Sequence, residues 1–109
     1  MAAWCVSCIQ GARELAQLHR DYGTRGLRVL AIDADQNESA DDLARFCGFA
    51  GDPEYDWALD SGRRITQALA IRSLDATILV SPKGDVLFRS ESLPNPSTLR
   101  RAVQRALGL

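Results

Sequence analysis

Cys5 and Cys8 stand two residues apart in the stretch MAAWCVSC, with Trp4 directly before them. A thiol pair of this spacing has a definite use when a helix starts beside it. The unpaired N–H groups and positive dipole end of a helix stabilise a thiolate, which otherwise forms only near pH 8.5 or above. Cys5 is then the nucleophile. Cys8, one helical turn later, can reach the sulfur held in a mixed disulfide and resolve it by forming a Cys5–Cys8 bond. That makes Cys8 the resolving thiol and the more buried of the two. The competing chemistry is half of a zinc site, for which Cys47 and His19 are the other available ligands. No second CxxC and no HxxxH spacing accompanies them. Cys47 reads more simply as a core residue and His19 as a surface residue late in the first helix.

The elements around the pair follow from hydrophobic spacing. Ile9, Ala12, Leu15, Ala16, Leu18 and Tyr22 recur at intervals of three and four, which predicts an amphipathic helix that begins at the cysteines and is capped by Gly23. Leu27 to Ile32 (LRVLAI) reads as a strand buried on both faces, as in a parallel sheet. Ser39 with Asp42 three residues on marks the start of a second helix that turns Leu43, Phe46 and Cys47 to one side before Gly48. After a loop from Phe49 to Asp56, Trp57 to Leu59 can form a short edge strand. Asp60 or Ser61 can cap a third helix that carries Ile65, Ala68 and Leu69 inward and ends near Ile71. Ala76 to Val80 and Val86 to Phe88, joined by Ser81 to Asp85, predict an antiparallel hairpin. Asn95 and Pro96 open a last helix with Leu99, Ala102, Val103 and Ala106 on its inner face, stopping at Gly108.

Bulk properties narrow the function classes. At 109 residues the chain is expected to form a single domain over 1–109. Its formal net charge is −1, and Lys83 is the single lysine among 13 basic residues, the arginines being dispersed between acids. Such a distribution offers no bulk field to nucleic acid or acidic lipid. Three cysteines are too few for a disulfide-stapled scaffold. No apolar run has the length of a membrane span, and neither a basic nor an apolar leader region precedes Trp4.

Taken with this order of helices and strands, Trp4, Cys5, Val6, Ser7 and Cys8 make the chain similar to the thioredoxin superfamily. More narrowly it resembles the TlpA-like thiol-disulfide reductases, a branch related to the redoxins, whose members are often extracytoplasmic and membrane-anchored and often serve cytochrome c maturation. The resemblance implies an α/β fold with a mixed sheet flanked by helices. It implies a protein disulfide reductase in which Cys5 attacks, Cys8 resolves, and Trp4 with the Ser73, Leu74, Asp75 and Ala76 backbone forms the docking surface. The partners it implies are a disulfide-bearing protein and an upstream thiol reductant, with no cofactor besides the dithiol. An extracytoplasmic location is the one the resemblance favours, and any membrane anchor belongs to a part preceding Met1. A redoxin-type thiol peroxidase is the alternative enzyme, although Ala2 stands where its threonine would be. A thioredoxin-fold binding module without catalysis is the alternative of another class.

Three departures from the family pattern carry expectations of their own. The family loop facing the cysteines resembles a small residue, Thr, a cis-proline, then Thr. Here Ser73, Leu74, Asp75, Ala76 and Thr77 occupy that stretch, and Asp75 stands in the proline's place. A cis bond before a non-proline residue costs about 2.5–4 kcal/mol, so a trans Leu74–Asp75 bond is expected. A carboxylate there either opposes the Cys5 thiolate, relays a proton to and from the thiols, or merely bonds the backbone N–H groups that follow it. Gly11, Ala12 and Arg13 replace the Glu, Met and kinking Pro that the family often has after the second cysteine, so the first helix lacks a proline kink and retains at most a weak bend at Gly11. Finally, the family has a mid-sheet strand immediately before its CxxC, and Met1 to Trp4 cannot make one. The expectation is an N-terminally incomplete chain whose sheet has either a gap or strands forced together at its centre.

Overall fold

The helix expected at the cysteines is α1, Val6–Tyr22, with Cys5 as its N-cap and Cys8, Ala12, Ala16 and Leu18 turned inward. The computed structural model describes residues 1–109. Gly23 is the C-cap as expected, but not in the left-handed form usual for glycine. Its φ of −58° is right-handed, and it leads into a 3₁₀ turn, Gly23–Arg25, that stops at Gly26 with φ 110°. Only glycine adopts that angle without strain. Gly11 admits a close neighbour, since a Cβ there would lie 3.1 Å from Leu93 Cδ1.

Strand β1 is Leu30–Asp33, shorter and later than Leu27 to Ile32. Its partner β2, Asp56–Leu59, is four residues long and pairs in parallel from Leu30 with Asp56 to Asp33 with Leu59. The pairing length of β2 sets that of β1. Burial on both faces is not observed, because Ala31 and Asp33 are buried while Leu30 is 52% exposed.

Helix α2, Ala40–Phe49, starts with the capping box that Ser39 and Asp42 predict: the Ser39 hydroxyl accepts from the Asp42 amide and the Asp42 carboxylate accepts from the Ser39 amide. Leu43 and Phe46 are buried, whereas Cys47 is only half-buried, one residue further round the helix. Helix α3, Arg64–Ala68, is shorter than expected and buries no residue. It follows a 3₁₀ turn, Ser61–Arg63. The Asp60 carboxylate accepts from the Ile65 amide, the Thr66 amide and the Thr66 hydroxyl, which anchors the start of α3.

Strands β3, Thr77–Val80, and β4, Val86–Ser90, form the expected antiparallel hairpin, closed by the Ser81 amide donating to the Asp85 carbonyl at 2.8 Å. Helix α4, Pro96–Ala106, has Asn95 as N-cap and buries Leu99 and Val103 against Leu18 of α1.

The α/β order is thus the expected one, but the strands form two separate pairs, β1–β2 and β3–β4, instead of one continuous mixed sheet. Of the two arrangements anticipated for the centre, the structure has the gap. An apolar cleft of about 1060 Å³ runs between the halves, lined among others by Leu30 and Ile32 of β1 and Ile78 and Leu79 of β3. Along β1 it is met by Met1, whose amino group donates to the Ile32 carbonyl at 2.8 Å and whose carbonyl accepts from the Ala34 amide at 2.9 Å. That is the hydrogen-bond pattern of a parallel bridge opposite Asp33. No helix is long and apolar enough to cross a membrane.

Candidate active site

Cys5 sits in extended conformation (φ −85°, ψ 107°) immediately before the first helical residue of α1. A tight turn brings it there, its amide donating to the Ala2 carbonyl at 3.1 Å. No acidic residue lies in the first turn of α1, so the helix's own sequence leaves its positive end uncompensated. Cys5 and Cys8 are joined in a disulfide with their Cα atoms 5.3 Å apart. Both are buried, in one cluster with Ala2, Ala12, Phe46 and Ala50. Trp4 and Val6, 66% and 80% exposed, make an apolar lip beside them. The Trp4 indole N–H donates to Asp35 Oδ2 at 2.8 Å, which fixes the ring. Asp35 is held below the ordinary carboxylate range by the Asn37 amide and then by this indole.

The turn before β3 closes the site from the other side. Leu74 packs against the cysteine cluster, and its carbonyl oxygen lies 3.4 Å from Cys8 Sγ. Ser73 Oγ accepts from the Asp75 amide at 3.2 Å, and the Ala76 amide donates to the Ser73 carbonyl at 3.2 Å. Ser73 and Ala76 therefore shape the turn, while Leu74 and Asp75 face the sulfurs. The chain contains no cis peptide bond, so Leu74–Asp75 is trans. The Asp75 carboxylate does not bond the amides that follow it, which removes the simple turn-former reading. It accepts instead from Ser7 Oγ, at 3.0 Å to Oδ1 and 3.1 Å to Oδ2, and Oδ1 lies 3.8 Å from Cys8 Sγ. Ser7 Oγ is also 3.3 Å from Cys5 Sγ. One carboxylate thus touches one sulfur directly and the other through a single hydroxyl.

Sequence reasoning quoted Ser7 without giving it a role, and it missed a second acidic support beneath the loop. Glu38 Oε1 accepts from the Ala3 amide at 2.6 Å. Burial, and then the neighbouring Asp33 carboxylate, push Glu38 above its ordinary value. Asp33 is wholly buried; Oδ1 accepts from the Asp35 amide, and Oδ2 lacks a donor unless Glu38 carries the proton between them. The available signal was an acid ending the apolar run LRVLAI. Burial lowers the Met1 amino group, which the charges of Asp33, Asp75 and Glu38 partly restore.

Neither Cys47 nor His19 approaches the pair as a third ligand. The group that does is Asp75, whose carboxylate oxygen lies with both cysteine sulfurs inside a span of 4.8 Å. Cys47 is pushed up by burial and by the Asp52 carboxylate, against thiolate chemistry. His19 is half-buried, edge-on to the Tyr55 ring at 6.2 Å between centroids.

Comparison with known proteins adds to this geometry. The model of the AhpC/TSA family matches residues 1–89. The chain is 27% identical over 104 residues to a Streptomyces lividans protein named mercury resistance operon ORF3, an alignment covering 94% of this chain and 54% of that one. It is 25% identical over 84 residues to the thiol-disulfide oxidoreductase ResA of Halalkalibacterium halodurans, covering 77% of this chain and 46% of the relative. The chain therefore spans about half the length of the curated relatives it matches. Among solved structures, one from Chlorobium tepidum, described as a candidate thiol:disulfide interchange protein DsbE, superposes with a TM-score of 0.87 at 22% identity, over 98% of this chain and 75% of that one. Another, a candidate thioredoxin from Neisseria meningitidis, gives 0.84 at 18% identity over 97% and 69%. These two likenesses establish the thioredoxin-like fold.

Proposed function

The chain belongs to the AhpC/TSA family, and on that premise we propose that it is a thiol-disulfide oxidoreductase that reduces protein disulfides with its Cys5–Cys8 dithiol. The observation that carries this reading is the disulfide at the N-terminus of α1, facing the Ser73–Ala76 turn. In the reduced protein, the Cys5 thiolate attacks one sulfur of a target disulfide, forming a mixed disulfide and releasing the other target thiolate. Cys8 then attacks Cys5 Sγ, restoring the intramolecular bond and releasing the second target thiol. Two electrons pass from the dithiol to the target, and an upstream thiol protein must return them. Exposed Trp4 and Val6, with the backbone of Ser73 to Ala76, supply an apolar lip and peptide groups against which an extended target segment can dock. The resemblance to TlpA-like reductases favours work outside the cytoplasm.

A thiol peroxidase would need Cys5 alone to meet peroxide. The closed Cys5–Cys8 bond favours the dithiol cycle instead. The test is reduction of insulin disulfides with dithiothreitol as electron source. Cys5→Ser should abolish activity, and Cys8→Ser should accumulate a mixed disulfide that mass spectrometry detects. Peroxide consumption that needs Cys5 but not Cys8 would replace this reading with the peroxidase. Absence of both activities would leave a binding module.

A further inference from the structure

We propose that Asp75 is the acid–base group of the dithiol, taking the Cys8 proton as Cys8 attacks the mixed disulfide and giving it to the departing target thiolate. The inference rests on the dithiol reading above and adds a catalytic residue to it. In the disulfide neither sulfur carries a proton, so the approaches of Leu74 O and Asp75 Oδ1 to Cys8 Sγ, at 3.4 and 3.8 Å, are contacts. Once reduced, the Cys8 thiol has both oxygens as acceptors, and only the carboxylate can carry the proton away. The same carboxylate accepts from Ser7 Oγ, which lies 3.3 Å from Cys5 Sγ. Nothing in the turn uses the carboxylate structurally, because Ser73 Oγ serves the Asp75 amide and Asp75 forms no ion pair. The charged group that senses Asp75 is the Met1 amino group, which also senses the Asp33 and Glu38 carboxylates.

The step balances as follows. The Cys8 S–H proton moves to Asp75, the Cys8–Cys5 bond forms, the Cys5–target bond breaks, and the target thiolate leaves with the electron pair. Protonated Asp75 then donates to that thiolate, and the carboxylate is restored. An opposing effect falls on the first step, since a negative charge near Cys5 disfavours its thiolate. Removing the charge should therefore change the two steps in opposite directions, which a residue that only shapes the turn would not do.

Reduced protein mixed with excess dithiobis(nitrobenzoate) in a stopped-flow instrument separates the steps. Attack by Cys5 releases one thionitrobenzoate, and resolution by Cys8 releases the second. In the unaltered protein the second phase should be nearly flat from pH 6 to 8. In Asp75→Asn it should slow by roughly 100-fold at pH 7, the low end of the range for general base catalysis, and rise about tenfold per pH unit as hydroxide takes over. The first phase of Asp75→Asn should be as fast or faster, an unchanged far-ultraviolet circular dichroism spectrum should report that the variant is folded, and Asp75→Glu should recover part of the second-phase rate. Equal second-phase rates in Asp75→Asn and the unaltered protein overturn the proposal. So does a tenfold-per-unit slope in the unaltered protein, a measurement that needs no variant. With all proteins carrying Cys47→Ser, so that the one other thiol does not react, release of a single equivalent by the otherwise unaltered protein, or of two by Cys8→Ser, would instead sink the dithiol reading and this inference with it.

Discussion

At the scale of single residues, the loop that presents Cys5 is tied down by a carboxylate pair beneath it. Glu38 accepts from the Ala3 amide and lies against wholly buried Asp33. Because burial and Asp33 raise Glu38 above its ordinary value, the native state binds the Glu38 proton more tightly than the unfolded chain does. The stability this provides is complete below the unfolded value of about 4.5 and declines as pH rises through the folded value. Glu38→Gln keeps an acceptor for Ala3 and supplies a permanent donor toward Asp33. Its urea midpoint should therefore fall less between pH 4.5 and 7 than that of the unaltered protein, and parallel curves for the two would remove Glu38 as the source. Cys5 and Cys8 were legible in the sequence because two thiols at one-turn spacing before a helix are a local pattern. The Asp33–Glu38 pair was not, since it depends on how the Met1–Trp4 segment lies across the end of β1.

The elements divide in the same way between local and distant causes. The start of α2 was readable because its capping box lies within four residues, and the structure contains both reciprocal bonds. Ser39→Ala should lower thermal stability by about 1 kcal/mol, the usual worth of an N-cap side chain, while an unchanged melting temperature would mean that Asp42 alone sustains the cap. The end of α1 was readable too, since Gly23 is its C-cap, but the left-handed turn falls at Gly26, after a 3₁₀ turn that no local pattern announces. Gly26→Ala must hold a φ of 110° with a Cβ. It should cost about 1–3 kcal/mol, whereas Gly23, in right-handed geometry, should accept Ala at little cost. Strand β1 was overextended for a different reason. The run LRVLAI carries enough apolar character for six strand residues, but β2 pairs with only Leu30 to Asp33. Helix α3 likewise falls short, because Ala70 turns left-handed with φ 51° before the expected end.

Across the whole molecule, three small clusters hold the buried apolar side chains, Val29 and Leu99 among them forming part of the cleft wall, while other apolar side chains such as Leu30 and Leu87 stand half exposed along it. Apolar character in the sequence is the same on both sides of that division, so which residues face the cleft could not be read from composition or period. Phe46 and Leu30 make the contrast measurable. Phe46 is 1% exposed, packs with Cys5, Cys8 and Ala12, and meets the Trp57 ring edge-on at 5.7 Å. Phe46→Ala should cost about 3–5 kcal/mol, a large share of the roughly 5–15 kcal/mol available to a small protein. The same cavity would open directly behind the disulfide, so the variant's Cys5–Cys8 bond should also become easier to reduce. Leu30 lines the cleft and is half exposed. Leu30→Ser should shift stability by no more than about 0.5 kcal/mol, as at other exposed positions. An environment-sensitive apolar dye should bind the native protein, since the cleft gathers its apolar lining into one concave surface instead of scattering it. Its fluorescence should fall in Leu30→Ser and persist in a Ser39→Ala control. Native protein that leaves the dye dark would mean that the cleft is covered in solution, with β1 and β3 drawn together or another chain seated between them.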